Sequence, residues 1–259
     1  MDFNLKRYEK YGWDYEHANP LTDEEIAWYI NFAQKTGDPV LELACGTARL
    51  LVAIAQAGLK IEGIDLSKEM LKIAKERVNK LSPEVVSRIL LHNMDMTSFK
   101  LDRRFSLIVI ADNSFGELKI KKQQLSCLKC VYHHLQSDGK FLVTVRRFDS
   151  SSLLNGQQVF DWSEPVHHPV TNELVMRRGE MELLDNGERL RGTFFYKIIH
   201  RDGSETMEEY PFEVPVMSKE DYIALFSEAG FRSIVYVGYQ EQSDDGKNPI
   251  LCFVYDKAQ

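Results

Sequence analysis

An acidic side chain, Asp65, lies about 20 residues after a tight turn, which is the spacing of a nucleoside-binding acid. Glu42 belongs to the apolar run 40–43, and Asp65 ends a second apolar segment, residues 60–65. A carboxylate in the position of Asp65 can accept hydrogen bonds from both hydroxyl groups of a ribose. Between the two acids lies Gly46, which allows backbone N–H groups to approach a ligand closely. The spacing therefore predicts a nucleoside site.

The residues around Gly46 predict the elements that hold this site: a buried strand, a tight turn and an amphipathic helix. Apolar residues fill 40–43 except at position 42, small residues follow, and 50–55 repeats apolar side chains at helical spacing. The fingerprint of dinucleotide-binding turns needs three glycines, and this turn has one. A nicotinamide oxidoreductase is therefore the least favoured nucleoside-binding function. The alternative without a ligand is an ordinary strand–turn–helix.

Length and composition limit the class of protein. The 259 residues suit one large α/β domain, alone or with an insertion, and 44% hydrophobic residues are ample for a core. The net charge of −7 argues against a nucleic-acid partner. The first residues are too polar for a signal peptide, and no apolar run approaches ~18 residues. We expect a soluble, cytoplasmic protein without a membrane partner, acting on a small molecule as a monomer or a homodimer.

The cysteines leave two interpretations open. Cys127 and Cys130 have the spacing of a zinc or redox pair, but no second pair and no histidine pair follows at ligand spacing. They also lie in a helical pattern of apolar residues, which favours buried, reduced cysteines. We expect no metal; a metal site or a disulfide is the alternative.

The first twenty residues are rich in aromatic side chains. Tyr8, Tyr11 and Tyr15 recur at three- and four-residue spacing, so one face of a helix can hold them. Such a helix either packs on the core or forms a lid over the ligand, since aromatic faces suit a cation and an adenine ring. Thr22 and Glu25 then predict a capping box for the next helix.

Strands alternate with helices up to about residue 149, as in a parallel sheet. Three further strands are predicted, at 88–92, 105–111 and 140–145. Ser67 caps one helix, and Asp138-Gly139 turns the helix that ends at 136 into the fifth strand. Ligands of such sheets bind at the carboxyl ends of the strands. Asp112 and Asn113 follow the fourth strand and Arg146 follows the fifth, so all three belong to the site region by position.

The alternation breaks after residue 149. Hairpin signals at 185–187 and 202–203 predict an antiparallel sheet with one wet face, inserted after the fifth strand. We assign residues 150–217 to this insertion and interpret it as a cover for the substrate.

The end of the chain returns to the main domain. Ser218 and Asp221 start a helix, and the two strands that follow are joined by a loop too short for a crossover helix. This last pair must therefore be antiparallel. Residues 1–149 and 218–259 form the predicted ligand-binding domain, with the N-terminal lid helix.

The turn and its flanks read Val40-Leu41-Glu42-Leu43-Ala44-Cys45-Gly46-Thr47-Ala48-Arg49. This stretch resembles the first motif of class I methyltransferases, commonly Glu/Asp-Leu-x-Cys-Gly-Thr-Gly-Arg, which use S-adenosylmethionine as cofactor. Ala48 replaces the last glycine. The resemblance covers about residues 40–149 and 218–256. It implies an α/β fold, a Rossmann-like seven-stranded sheet with an antiparallel last strand, to which the antiparallel β insertion is added.

The resemblance also implies a role for each part of the cofactor site. Glu42 faces the sulfonium or amino group, Asp65 binds the ribose, and Asp95 with Met96 binds adenine. A turn cap is the alternative for Asp95. The implied cofactor-binding residues are Tyr15, Glu42, Ala44, Gly46, Arg49, Asp65, Leu66, Met70, Asp95, Met96 and Ala111.

Two short stretches resemble glycine N-methyltransferases. Residues 113–118, Asn-Ser-Phe-Gly-Glu-Leu, are similar to Asn-Ser-Phe-Ala-His-Leu, and residues 143–149, Val-Thr-Val-Arg-Arg-Phe-Asp, are similar to Ile-Asp-His-Arg-Asn-Tyr-Asp. In that family the arginine of the second stretch, here Arg146, holds the substrate carboxylate. A salt bridge to Asp149 or a neighbouring acid is the alternative. We place Tyr11, Asn113 and Arg146 in the catalytic site.

The acceptor that we favour is the nitrogen of an amine or amino acid, because a neutral amine attacks without a strong base. Glu117 and Arg147 depart from the glycine N-methyltransferase pattern, so the substrate need not be glycine. The enzymatic alternative is a small-molecule O-methyltransferase with a histidine or a carboxylate as base. Of His167 and His168 at most one would enter the pocket, because adjacent strand residues face opposite ways. A non-catalytic module that binds S-adenosylmethionine and regulates a partner is the alternative outside the enzymes.

Overall fold

The computed structural model describes residues 3–18, 21–147, 157–237 and 250–257. The chain divides into two compact units. The larger unit comprises residues 8–147 and 217–259, and the smaller unit comprises residues 1–7 and 148–216. The interpretation of residues 150–217 as a substrate cover stays a prediction.

The elements follow in chain order. The helices are α1 Phe3–Tyr11, α2 Tyr15–Ala18, α3 Asp23–Thr36, α4 Arg49–Gln56, α5 Lys68–Val78, α6 Pro83–Val86, α7 Lys121–His134 and α8 Lys219–Glu228. The strands are β1 Val40–Leu43, β2 Ile61–Asp65, β3 Ile89–Asn93, β4 Phe105–Ile110, β5 Leu135–Arg146, β6 Gln157–Phe160, β7 Val166–His167, β8 Leu174–Leu184, β9 Arg189–Ile199, β10 Glu205–Pro215, β11 Phe231–Val237 and β12 Ile250–Lys257. Single 3₁₀ turns lie at Gly12–Asp14, Ser114–Glu117 and Asp185–Gly187.

The larger unit is built on a seven-stranded sheet with the order β3-β2-β1-β4-β5-β12-β11. Strands β1 to β5 are parallel, and β12 is antiparallel to both of its neighbours. The central strands are buried on both faces, since every residue of β1 and all but Ser106 of β4 are buried. The fold class predicted from the sequence is therefore confirmed.

Three helix starts carry the caps that the sequence predicts. Thr22 accepts from the backbone N–H of Glu25 and the Glu25 side chain accepts in return, which completes a capping box. Ser67 accepts from the N–H of Met70 at 3.2 Å. Ser218 and Asp221 form the second capping box, at the start of α8. These caps fix where α3, α5 and α8 leave the sheet.

The prediction for the start of the fifth strand was wrong. Strand β5 begins at Leu135 rather than at 140, and the preceding helix ends at 134 rather than at 136. Gly139, predicted in a turn, lies within the strand. A Cβ there would meet the backbone oxygens of Phe105 and Ser106 at 2.9 and 3.0 Å, so glycine permits β5 to run close to β4 where the register shifts.

The smaller unit is an antiparallel sheet with the order β10-β9-β8-β6, and β7 pairs with β8. The hairpin turns fall at the predicted signals, between β8 and β9 and between β9 and β10. Along β9 the exposed Arg189 and Arg191 alternate with the buried Leu190. Glu213 pairs with Arg189 at 2.6 Å, so one face of this sheet is charged.

Among the described residues, no helix has the length and the apolar character needed to cross a membrane. All four cysteines are free thiols. Cys127 is buried in the core and Cys130 is partly buried, and burial raises the pKa of both thiols. No cluster of three or more potential metal ligands occurs within the described parts of the chain.

Candidate active site

The turn after β1 is a tight left-handed structure. Ala44, Gly46 and Ala48 have φ angles of 55°, 53° and 63°. Two of these three residues are alanines, which adopt this region only at a cost of about 1–2 kcal/mol each. The N–H of Cys45 donates to the carbonyl of Ile64 at 3.0 Å, which ties the turn to β2. The turn thus lies at the carboxyl edge of the sheet, with α4 starting directly behind it.

Glu42 is a buried acid whose side chain is only partly satisfied. Its residue is 4% exposed, and the N–H of Leu51, in the first turn of α4, donates to its carboxylate. The other oxygen, Oε2, has no hydrogen-bond partner. Burial raises the pKa of Glu42 to about 8, although Arg49 acts in the opposite direction. An orphan carboxylate oxygen at this edge fits the cationic sulfonium or amino group of S-adenosylmethionine.

Asp65 joins the turn to the start of α5. Its Oδ2 accepts from the N–H of Gly46 and its Oδ1 accepts from the N–H of Ser67, both at 2.8 Å. Burial raises the pKa of Asp65 above its ordinary value in spite of these two bonds. Because each carboxylate oxygen can accept a second hydrogen bond, Asp65 retains acceptors for the hydroxyl groups of a ribose.

The predicted adenine residues lie next along the same edge. Asp95 Oδ1 accepts from both the N–H and the hydroxyl group of Thr97 at 2.7 Å, which is the turn cap named above as the alternative. Asn93 donates to the carbonyl oxygens of Asp65 and Leu66 at 2.9 Å and holds the ends of β2 and β3 together. Leu66 is 49% exposed, so an apolar side chain is available to a ring at this edge. The adenine role of Asp95 and Met96 stays a prediction.

The ends of β4 and β5 are cross-linked by Thr144. Its Oγ1 accepts from the N–H of Asp112 at 3.0 Å and lies 2.7 Å from the hydroxyl oxygen of Tyr29, while its carbonyl accepts from the N–H of Asn113. Asn113 Oδ1 in turn accepts from the N–H of Arg146 at 2.9 Å. The predicted residues Asn113 and Arg146 are thus brought together, and Ala111 is buried beside them.

Asp112 is the central acid of this region; the sequence placed it in the site region by its position but gave it no chemical role. Tyr15 donates to its Oδ2 at 2.8 Å, Arg49 lies 3.4 Å from the same oxygen, and Arg146 lies 3.3 Å from Oδ1. Burial, and then the charge of Asp112, raise the pKa of Tyr15. Arg146 therefore makes a salt bridge to a neighbouring acid; Asp149, the other partner considered, lies outside the described residues. The position of Asp112 after the apolar fourth strand indicated the region, but nothing in the sequence indicated its three partners.

Residues 8–16, which we call the N-terminal segment, lie against the same site. Glu16 accepts from the hydroxyl group of Thr47 and from Arg77, the latter at 2.5 Å. Burial alone would raise the pKa of Glu16, but these hydrogen bonds hold it below its ordinary value. Tyr8 donates to Glu117 at 3.0 Å. The segment thus contacts the turn, α5 and the residues after β4.

Two further residues of the prediction, Tyr11 of this segment and Met70 of α5, are buried. A Cβ at Gly12 would meet Met70 Sδ at 2.7 Å. A Cβ at Gly46 would lie 3.6 Å from Met70 Cε, so Met70 contacts both the segment and the turn. The catalytic role of Tyr11 stays a prediction, and packing on the core is what the contacts describe.

The histidines of the O-methyl alternative lie in the smaller unit. His167 is exposed, and His168 is half-buried. His168 Nδ1 accepts from the N–H groups of Val170 and Thr171 at 3.2 Å, so this ring holds a turn. Neither contact prepares a histidine to act as a base.

A model of the methyltransferase domain family matches residues 40–139. The match begins with β1 and includes Glu42, Gly46, Asp65 and Asp112. This part of the chain is therefore similar to the methyltransferase domain family.

Two curated relatives extend this similarity. The putative methyltransferase YqeM of Bacillus subtilis is 35% identical over 122 residues, which cover 47% of this chain and 45% of the relative. The dTDP-3-amino-3,6-dideoxy-alpha-D-glucopyranose N,N-dimethyltransferase of Streptomyces fradiae is 28% identical over 191 residues, or 74% of this chain and 69% of the relative. The chain thus spans less than half of the Bacillus relative.

The fold is shared over nearly the whole chain. A crystal structure of an S-adenosylmethionine-dependent methyltransferase from Clostridium acetobutylicum superposes with a TM-score of 0.76 at 18% identity, and the match covers 97% of this chain and 99% of that one. The chain therefore has the fold of that S-adenosylmethionine-dependent methyltransferase. The orphan oxygen of Glu42 and the acceptors of Asp65 fit this cofactor.

Proposed function

We propose that this chain transfers a methyl group from S-adenosylmethionine to the amine nitrogen of a small metabolite that also carries a carboxylate or similar anion. The observation that carries the proposal is the position of Arg146. Arg146 is the last residue of β5, at the carboxyl edge of the sheet, and its side chain is 59% exposed. A planar guanidinium at this edge suits bidentate binding of an anion.

The cofactor brings the chemistry, because its methyl group is already activated on a sulfonium. The protein residues supply position. Glu42 would lie near the positive charge, Gly46 would give backbone N–H groups, and Asp65 would bind the ribose. The resemblance of residues 113–118 and 143–149 to glycine N-methyltransferases supports a carboxylated amine as acceptor, with Arg146 on its carboxylate.

An amine is favoured over a hydroxyl group because a hydroxyl acceptor usually needs a base. Of the two histidines considered for that role, His167 is exposed, and the ring of His168 accepts two backbone hydrogen bonds that hold a turn. The name of the Streptomyces fradiae relative describes methylation of an amino group on a nucleotide sugar, an acceptor that is both an amine and an anion. That similarity supports nitrogen as the accepting atom.

The experiment that tests the proposal uses S-adenosylmethionine with an isotopically labelled methyl group. The purified chain is incubated with this cofactor and a fractionated metabolite extract, and mass spectrometry identifies the labelled products. We expect label on amines that carry an anionic group. Label on phenols or hydroxy acids would support the O-methyltransferase. Tight cofactor binding without any labelled product would support the regulatory module.

A further inference from the structure

Asp112 is shared by three side chains that come from different parts of the site. Tyr15 belongs to the N-terminal segment, Arg49 is the first residue of α4, and Arg146 ends β5. The Asp112 side chain is 15% exposed, whereas that of Arg146 is 59% exposed. The carboxylate is therefore enclosed by its partners, and the guanidinium of Arg146 is open to solvent on its other side.

The backbone holds Asp112 in place independently of Arg146. Asp112 and Asn113 have φ angles of 48° and 62°, and Thr144 binds the N–H groups of both. The hydrogen bond from Tyr15 at 2.8 Å is the shortest that the carboxylate accepts. Asp112 thus stays fixed when the side chain of Arg146 moves.

The pair between Asp112 and Arg146 is easily exchanged. Its N–O distance is 3.3 Å, and the guanidinium is exposed, so solvent screens the attraction. Among the described residues, Asp112 is the acid that forms an ion pair with Arg146. An acceptor anion that binds Arg146 must therefore share the guanidinium with Asp112 or displace Asp112 from it.

We propose that Asp112 is a specificity-determining residue of the acceptor site, which competes with the anion of the acceptor for Arg146. The proposal rests on the proposed function. Its consequence is that Asp112 weakens the binding of anionic acceptors and leaves uncharged acceptors unaffected. The chain would then discriminate between acceptors through the strength of their anion, since only a well-placed bidentate anion displaces the fixed carboxylate.

The test compares Asp112→Asn with the unsubstituted chain. Asparagine keeps an oxygen that accepts from Tyr15 but removes the charge. The acceptors are a carboxylated amine labelled in the transfer assay and its carboxamide. We expect KM for the carboxylated amine to fall by up to about fivefold, the range of an exposed ion pair, while KM for the carboxamide stays the same. Asp112 also contacts Arg49, a predicted cofactor-binding residue. Calorimetry with S-adenosylmethionine therefore measures whether the substitution changes cofactor affinity.

The matched control is Asp256→Asn. Asp256 pairs with Lys140 at 2.7 Å near the middle of β5, so the substitution removes the same charge from the same sheet at a distance from Arg146. We expect it to change neither KM. The fall in KM for the carboxylated amine that Asp112→Asn causes should also become smaller as the salt concentration rises.

A second readout needs no turnover. Acetate is titrated into the protein while the side-chain nitrogen resonance of Arg146 is followed by NMR, and Asp112→Asn should bind acetate more tightly. An unchanged ratio of KM values together with unchanged acetate binding would overturn the inference. A rise in KM for both acceptors alike would overturn it too, because that is the result of a structural role. Tighter acetate binding without methylation of any amine would leave the inference standing and remove the proposed function.

Discussion

Glu42 is a buried acid and Asp65 a partly buried one at the carboxyl edge of the sheet, and their partners differ. Asp65 accepts a backbone N–H on each oxygen, whereas Glu42 has an oxygen without a partner. Burial raises the pKa of both carboxyl groups. A cation bound beside Glu42 would favour its ionised form, so its charge and the cofactor are linked.

Glu42→Gln should therefore change how stability depends on pH. The pKa of Glu42 is about 8 in the folded chain and lies near its ordinary value in the unfolded chain, so the free energy of unfolding falls as pH rises from about 4.5 to about 8. Glutamine removes this contribution. Between pH 5 and pH 9 we expect the variant to gain roughly 3 kcal/mol relative to the unsubstituted chain. Urea unfolding without cofactor measures the difference; parallel pH curves would contradict it.

Asp65→Ala should weaken cofactor binding. The loss of charge-assisted hydrogen bonds to the ribose costs about 1–3 kcal/mol, and calorimetry with S-adenosylmethionine measures it. Glu62→Ala is the control, because Glu62 is a buried acid on the same strand whose partners, His92 and Arg103, lie away from the turn. Equal affinity of the Asp65 variant and the unsubstituted chain would remove Asp65 from the site.

Arg146→Ala should raise KM for the acceptor and leave cofactor affinity alone. A hydrogen bond to a charged group contributes about 1.5–3 kcal/mol, so we expect KM to rise roughly 10- to 100-fold. Arg146→Lys should give an intermediate KM, since lysine keeps the charge but not the planar fork. Steady-state kinetics and calorimetry measure the two quantities. Loss of cofactor affinity as well would indicate a structural salt bridge to Asp112.

At the scale of elements, the N-terminal segment and the turn after β1 form one assembly. Glu16 binds Thr47 of the turn and Arg77 of α5, and Glu9 accepts from the N–H of Lys68 at 2.9 Å. The two sequence interpretations, a helix packed on the core and a lid over the ligand, are therefore compatible, because the segment packs on the elements that hold the cofactor site.

Glu16→Gln should loosen this assembly. The ion pair with Arg77 is partly exposed, so we expect a loss of only about 0.5–1 kcal/mol of stability, together with faster amide hydrogen exchange in residues 8–16. Glu84→Gln is the matched control, because it removes an exposed ion pair, with Arg88, that does not involve the segment. Exchange rates in residues 8–16 that match those of the control would contradict the docking of the segment through Glu16.

At the scale of the whole molecule, local patterns predict the elements and the motif that begins at β1. The capping residues, the apolar strands and the spacing from Gly46 to Asp65 are all readable because their partners are close in sequence or follow a repeated period. The antiparallel last strand follows from the short final loop and from the resemblance.

The Asp112 cluster could not be predicted in the same way. Its contacts to Tyr15, Arg49 and Arg146 span 97, 63 and 34 residues, and they depend on how the N-terminal segment and the ends of two strands meet. The start of β5 depends on a register shift against β4, which no periodicity in the sequence reveals. Tertiary packing determines both the contacts of Asp112 and the residue at which β5 begins.

The most direct test of the proposed reaction is methyl transfer to a matched pair of acceptors. The chain is given S-adenosylmethionine with a labelled methyl group and either a carboxylated amine or the hydroxyl compound of the same skeleton. We predict label on the amine nitrogen, S-adenosylhomocysteine in equal amount, and no label on the hydroxyl compound. Transfer to the hydroxyl compound, or cofactor binding without transfer to either, would contradict methylation of an amine.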